Sequence, residues 1–174
     1  IYLDHNATTP LAPEVFAAMS RAFAEEYGNA SSIHSLGQRA KAALDGARAA
    51  TAALIGAEPS EIVFTAGGTE SDNLALRGVA DACGAARRRL VVSAVEHEAV
   101  GAAARALARR AWPVTTVGVD RDGVVTPAAL APHLGPDVAL VSVMMANNET
   151  GVIQPVREIA ALAHEHGALV HTDA

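Results

Sequence analysis

Two stretches of the sequence place candidate ligand-binding residues directly after predicted β-strands, where α/β proteins bind their ligands. Residues 61–76 run from a strand into Ala-Gly-Gly-Thr and then into a helix. Glycine lets the backbone approach a ligand closely, and the unpaired N–H groups of a helix start attract anions such as phosphate. The backbone at Gly67 and Gly68, with the hydroxyls of Thr69 and Ser71, is therefore a candidate phosphate site. The alternative is an ordinary helix start, in which Thr69 and Asp72 form a capping box.

His97 follows the next predicted strand and opens a helix. The positive end of the helix dipole favours the neutral imidazole ring there. A neutral ring could stack on an aromatic ligand and move protons. Taken alone, His97 is explained better as a partly exposed histidine between Glu96 and Glu98.

Two more strand ends carry polar side chains. A buried strand leads into Asn147 and Asn148, whose amides can donate to a ligand oxygen. The alternative is a polar turn. Asp173 ends the last apolar run, where a carboxylate can hold a protonated pyridine nitrogen or a metal ion, and the alternative is a helix N-cap. Together, a phosphate cradle, a flat histidine, an amide donor and a carboxylate suit pyridoxal phosphate, whose protonated ring acts as an electron sink.

The elements that must position these residues alternate along the chain. β-rich runs occur at residues 61–65, 90–93, 114–119, 138–144 and 168–171. Helical patterns occur from residue 13 to near Gly28 and at residues 35–55, 70–86, 99–110, 127–134 and 156–166. The pattern predicts an α/β fold, with a mainly parallel sheet and helices on both faces.

Composition excludes several classes of protein. The 174 residues are 51% hydrophobic, which argues for a globular chain, and the net charge of −6 offers no basic surface for nucleic acid. The longest strongly apolar run is too short to cross a membrane, and no signal peptide is visible. One cysteine permits no intramolecular disulfide, so we expect a cytoplasmic protein. His164, Glu165 and His166 do not form HExxH, and no metal site is predicted.

Six strings then identify a resemblance that extends over essentially the whole chain. They are YLDHNATTP (2–10), GNASSIHSLG (28–37), EIVFTAGGTESDN (61–73), EHEAV (96–100), ANNETG (146–151) and HTDA (171–174). In their order and spacing they resemble the cysteine desulfurases of the nitrogen-fixation and iron–sulfur-assembly type, which are fold type I pyridoxal-phosphate enzymes.

This resemblance implies a role for each candidate residue. Gly68 and Thr69 would hold the cofactor phosphate. His97 would stack on the pyridine ring and assist proton transfer. Asn148 would donate to the phenolic oxygen of the ring, and Asp173 would pair with the pyridine nitrogen.

The resemblance also implies an activity and partners. Members are homodimers that convert L-cysteine to L-alanine, leave a persulfide on an enzyme cysteine and pass the sulfur to an iron–sulfur scaffold or another acceptor. By comparison with these enzymes, residues 1–12 would be an N-terminal active-site segment. Residues 13–174 would be the N-terminal part of the cofactor domain, without the small C-terminal domain.

The chain departs from the family pattern at two points. The Schiff-base lysine is expected beyond Asp173, and the nucleophilic cysteine lies far downstream of it. Lys41 and Cys83, the only lysine and cysteine, lie in neither context. We therefore expect the 174 residues alone to be inactive. The alternatives are a related lyase or transaminase, such as selenocysteine lyase, and a non-catalytic fragment or binding protein.

Overall fold

A computed structural model describes residues 1–84 and 87–174 of the chain. These residues form two compact units, Ile1–Phe64 and Thr65–Ala174. The division that the sequence suggests between residues 12 and 13 stays a prediction. In the part of the chain that is described, no helix combines the length and the apolar character needed to cross a bilayer.

The first unit is helical. It contains α1 (Pro13–Glu25), α2 (Ser35–Ile55) and a 3₁₀ turn (Pro59–Glu61). The α2 bounds are those predicted, because the helix ends where Gly56 adopts the left-handed conformation, with φ of +69°, that favours glycine. The α1 helix ends at Glu25, earlier than predicted.

The prediction of a strand at residues 61–65 is wrong, because the structure describes no strand there. Residues 62–64 follow the 3₁₀ turn as extended chain, and no described strand pairs with them. Val63 and Phe64 are exposed. The local sequence favours an extended backbone, but a strand also needs a neighbour that satisfies its N–H and C=O groups.

The second unit alternates strands and helices. Its strands are β1 (Arg89–Ser93), β2 (Val114–Val117), β3 (Val138–Ser142) and β4 (Leu169–His171). Its helices are α3 (Gly68–Ala82), α4 (Glu98–Arg109), α5 (Pro127–Leu130), a 3₁₀ turn (Ala131–His133) and α6 (Val156–Glu165). The sequence predicts that α3 ends at Ala86, which lies outside the described residues.

The four strands form a parallel sheet in the order β2-β1-β3-β4. Side chains of successive residues point to opposite faces of a strand. Val91 belongs to the apolar cluster under α5 and α6, whereas Leu90 and Val92 belong to the cluster under α3 and α4. Helices therefore cover both faces of the sheet, and the predicted α/β class is confirmed.

Arg87 and Gly167 fix the entry to β4. Gly167 follows α6 with φ of +70°, and its N–H donates to His164 O at 2.8 Å. The guanidinium of Arg87 donates to Gly167 O at 2.7 Å and to Val138 O at 3.1 Å. The Arg87 side chain therefore joins the start of β3 to the turn before β4. Asp173 follows two residues after the end of β4.

Gln154 is buried, at 4% exposure, and supplies hydrogen bonds that the backbone around it needs. Its Oε1 accepts from Val125 N–H at 2.8 Å, and its Nε2 donates to Gly123 O at 2.8 Å. The amide therefore ties the loop that precedes α5 to the segment that precedes α6.

The substitution Gln154→Met keeps the length of this side chain and removes both hydrogen bonds. A buried donor or acceptor left without a partner costs about 1–3 kcal/mol, so we expect a loss of that order in unfolding free energy. Hydrogen exchange at the Val125 amide should accelerate in parallel. The exposed Gln38→Met is the matched control; equal stability of both variants would contradict this role of Gln154.

Candidate functional site

The carboxyl edge of the sheet holds His171 and Asp173 in fixed positions. Backbone hydrogen bonds continue past the end of β3, with Val143 N–H donating to His171 O at 3.1 Å and Met145 N–H to Asp173 O at 2.8 Å. His171 and Asp173 are two residues apart in extended chain, so their side chains lie on the same face. That face is the one covered by α3 and α4.

Three titratable side chains from different elements meet there. One ligand atom from each of Asp72, His97 and Asp173 lies within 4.8 Å of the other two. Asp72, on α3, is 3% exposed. Burial, followed by the nearby carboxylate of Asp173, raises the pKa of Asp72, while the imidazoles of His171 and His97 oppose that rise.

His97 is the N-cap of α4. Its Nδ1 accepts from Ala99 N–H at 3.2 Å, which satisfies one of the unpaired donors of the helix start. An Nδ1 that accepts leaves Nε2 to carry the proton of a neutral ring. The Ala99 N–H thus orients the imidazole ring of His97. The residue is exposed and lies beside Asp72 and Asp173.

The loop before α3 leaves room for a ligand at the helix start. A Cβ added at Gly67 or at Gly68 would meet no atom within 4 Å. Packing within the described chain therefore does not explain why both residues are glycine, whereas close approach of a ligand would. Because α3 begins at Gly68, the N–H groups of Gly68 and Thr69 have no acceptor inside the helix.

The shape of this loop is set by its own side chains. The hydroxyls of Thr65 and Ser71 are 2.7 Å apart, and Ala66 N–H donates to the Glu70 carboxylate at 2.6 Å. The N-cap is Gly67, without a side-chain capping bond, so the capping box considered for Thr69 and Asp72 is absent. Glu70 adds a negative charge near the helix start, but it is engaged by Ala66.

Asn147 organises the loop that follows β3. Its Oδ1 accepts from the N–H groups of Glu149 and Thr150 at 3.0 and 2.8 Å, and its Nδ2 donates to Val95 O at 3.1 Å. Of the two adjacent amides, Asn147 thus anchors the loop to the turn before α4. Asn148 is exposed on that loop.

His97 and Asn148 line the same open depression. Its volume of about 390 Å³ falls in the range of small-molecule sites. Its walls are residues 94–98 and 147–150. The predicted site residues His97 and Asp173 thus lie side by side, since both belong to the cluster with Asp72. Asn148 borders the depression that His97 lines. Gly68 and Thr69 begin α3, the helix that carries Asp72.

Glu96 is a half-buried carboxylate that joins β1 to β3. Its Oε1 accepts from Ser93 Oγ at 2.6 Å and from Met144 N–H at 2.7 Å, and its Oε2 accepts from Ser142 Oγ at 3.2 Å. Burial raises the pKa of Glu96, and these three donors oppose the rise. Ser142 Oγ also lies 2.9 Å from His171 Nδ1.

The raised pKa of Glu96 makes stability depend on pH. A carboxyl whose pKa is higher in the folded than in the unfolded state contributes stability that is complete below the unfolded value of about 4.3 and is lost as pH rises through the folded pKa. We expect the unfolding free energy of wild type, relative to Glu96→Gln, to fall over that window. Denaturant titrations from about pH 4 upward measure it.

The exposed Glu158→Gln controls for the loss of one negative charge. A difference between wild type and Glu96→Gln that stays constant with pH would contradict this assignment for Glu96.

Sequence reasoning missed Asp72, Glu96 and His171 as site residues, although signals for two of them existed. Asp72 precedes Leu76 and Ala80 at helical spacing, which places it on the buried face of α3. His171 shares the two-residue period of a strand with Asp173. Glu96 has no such signal, because its partners Ser142 and Met144 come from a distant part of the chain.

Comparison with known proteins gives a consistent result. The class-V aminotransferase family matches residues 1–174. A protein named cysteine desulfurase IscS from Anaeromyxobacter sp. (strain K) is 48% identical over 175 residues, which cover 100% of this chain and 43% of the relative. A cysteine desulfurase from Cereibacter sphaeroides is 51% identical over 176 residues, covering 100% and 45%.

The chain is also similar to solved structures. A NifS-like protein superposes with a TM-score of 0.96 at 38% identity, covering 100% of this chain and 48% of that one. A structure described as SspA in complex with cysteine gives 0.94 at 34% identity, covering 99% and 50%. The chain spans less than half the length of the curated relatives named above. Its match to the family profile along all 174 residues shows that this chain belongs to the class-V aminotransferases.

Proposed function

We propose that this chain is the N-terminal part of a pyridoxal-phosphate-dependent cysteine desulfurase. The observation that carries the proposal is the meeting of Asp173, His97 and Asp72 at the sheet edge beside the start of α3. Relatives named cysteine desulfurase support the reaction, and a similar structure described as a complex with cysteine supports the substrate.

The donor set fits pyridoxal phosphate. Asp72, His97 and Asp173 could in principle hold a cation, but the adjacent helix start favours an anion. A ligand that carries both a phosphate and a protonated ring nitrogen suits both parts of the site, with the phosphate at the start of α3 and the nitrogen at the carboxylates. Asp72 lies four residues beyond Gly68, about 6 Å along the helix, so the two ends are within reach of one small molecule.

Each residue then has one task. The N–H groups of Gly68 and Thr69 bind the phosphate, with the Thr69 hydroxyl as a further donor. The Asp173 carboxylate would accept a hydrogen bond from the protonated ring nitrogen and so keep that nitrogen protonated. The His97 ring packs on the pyridine face and moves protons through Nε2, since Nδ1 is held by Ala99. Asn148 donates to the phenolic oxygen.

Pyridoxal phosphate supplies an electron-accepting ring when bound. The remaining chemistry needs a lysine and a cysteine that the described sites do not offer. Lys41 lies on α2 and pairs with Asp45 at 2.6 Å. Cys83 caps the C-terminal end of α3. Neither residue adjoins the cluster at the sheet edge in the sequence, so we propose that both functions belong to other parts of the full-length protein.

The reaction is a transfer of sulfur. A thiol of the full-length enzyme takes the sulfur atom of L-cysteine, which forms an enzyme persulfide and releases L-alanine. The homodimer and the iron–sulfur scaffold or other sulfur acceptor remain proposals that rest on the family resemblance. The cytoplasmic location remains a proposal that rests on the single cysteine.

The test is an assay of the purified full-length protein with pyridoxal phosphate, L-cysteine and a reductant. We expect L-alanine and sulfide in equal amounts, and none without the cofactor. Cofactor-bound protein that releases no alanine would contradict the proposal. Turnover of L-selenocysteine alone would identify a selenocysteine lyase instead, the alternative that shares the same cofactor residues.

A further inference from the structure

Four polar side chains form a continuous row beneath the sheet edge. Glu96 Oε2 lies 3.2 Å from Ser142 Oγ, which lies 2.9 Å from His171 Nδ1. On its other side, His171 Nε2 lies 3.4 Å from Asp72 Oδ1. Ser142 is fully buried and Asp72 nearly so. The row therefore links a carboxylate at the end of β1 to the one beside Asp173.

The protons available to these side chains determine which atom donates and which accepts in each hydrogen bond of the row. Glu96 accepts at Oε1 from Ser93 and from the Met144 N–H, and at Oε2 it accepts from the Ser142 hydroxyl. Ser142 has one hydroxyl proton, which it donates to Glu96. Its oxygen must then accept from His171, so the Nδ1 atom of His171 carries a proton.

The contact between His171 and Asp72 then needs a proton of its own. A bare Nε2 opposite a bare carboxylate would place two buried acceptors against each other, which is costly. One proton between them satisfies both atoms and leaves the pair without net charge. Besides His171, two titratable groups face Asp72, namely Asp173 and His97. Glu96 faces one titratable group, His171, in addition to the three donors that hydrogen-bond to it.

We infer that Glu96 and Ser142 are positioning residues that fix the proton of His171, so that His171 neutralises Asp72 and Asp173 remains the anion at the sheet edge. The inference rests on the proposed function, since the ligand of Asp173 is then the cofactor ring nitrogen. The direction in which burial and Asp173 shift the pKa of Asp72 agrees with it, because two adjacent carboxylates resist ionising together.

The direct test is ¹⁵N NMR of the full-length protein labelled at histidine, without added pyridoxal phosphate. The His171 signals are assigned from their loss in His171→Asn. We expect a protonated Nδ1 from about pH 6 to pH 8, the range in which free histidine titrates. In Ser142→Ala, we expect Nδ1 to lose its proton and Nε2 to keep one. A bare Nδ1 in wild type, or unchanged protonation in Ser142→Ala, would overturn the inference.

A second measurement separates positioning from packing. In Ser142→Ala, we expect Asp72 to face a neutral histidine and to be ionised, so affinity for the anionic cofactor should fall by roughly tenfold. Adding Asp72→Asn removes that charge and should restore the affinity. A double variant that binds no better than Ser142→Ala would show that the loss comes from packing, and would overturn the inference.

The two proposals fail separately. Wild-type protein that binds no pyridoxal phosphate would contradict the proposed function, while the NMR result would still report the protonation of His171. Normal desulfuration with a bare Nδ1 would leave the function standing and remove the role of Glu96 and Ser142.

Discussion

In the full-length protein, we expect Asp173→Asn to lower kcat for desulfuration by about 10²–10³-fold, the usual loss when one preorganised electrostatic partner is removed. The amide keeps the shape of the side chain but not its charge, so it no longer holds a proton on the ring nitrogen. The backbone of residue 173 stays in place, because Met145 N–H bonds to its carbonyl and not to its side chain. Steady-state kinetics and the absorbance of bound cofactor measure the effect.

Asp122→Asn is the matched control. Asp122 is exposed, and among the residues that the structure describes its carboxylate has one distant ion pair, 3.8 Å from Arg121. Surface substitutions of this kind change little, so we expect kcat within about twofold of wild type. Wild-type turnover by Asp173→Asn, with a full complement of cofactor, would contradict the assignment of Asp173.

His97→Asn separates the two tasks of His97. Asparagine is a good N-cap, so it can replace Nδ1 as the acceptor for Ala99 N–H and keep the start of α4 intact. It offers no aromatic face and no titratable nitrogen. We expect kcat to fall by about 10²–10⁴-fold, the range for loss of a general acid or base, with weaker retention of the cofactor.

His97→Ala completes this comparison. It removes the cap as well, so it should lower thermal stability by about 1 kcal/mol relative to His97→Asn, with no further loss of kcat. If His97→Asn had wild-type kinetics and only His97→Ala were impaired, His97 would serve α4 alone.

Elements with clear boundary residues are predicted well from this sequence. The α6 helix is predicted at residues 156–166 and observed at Val156–Glu165, because Pro155 precedes it and Gly167 ends it. Its apolar residues Ile159 and Ala163 recur at helical spacing and are buried. In such segments local chemistry and tertiary packing favour the same structure.

Features that depend on distant partners are predicted poorly. The run at residues 61–65 has the composition of a strand, yet strand formation depends on a neighbour that local sequence does not reveal. Glu96 and Glu98 look alike in the sequence. In the structure Glu96 accepts three hydrogen bonds beneath the sheet edge, while Glu98 is exposed on α4.

The candidate site shows the same contrast. Gly68, Thr69, His97, Asn148 and Asp173 are recognisable because each follows a predicted strand. Asp72 and His171 complete the cluster from inside an element, where a polar side chain is informative only if its burial is known. Ionisable side chains that are buried and paired are therefore the part of this site that the structure adds.

The most direct test of the proposed cofactor site is a crystal structure of the full-length protein grown with pyridoxal phosphate. We expect the phosphate at the N–H groups of Gly68 and Thr69, the ring against His97 and the ring nitrogen within hydrogen-bond distance of the Asp173 carboxylate. A phosphate bound away from the start of α3, or a metal ion held by Asp72, His97 and Asp173 in place of the ring, would contradict it.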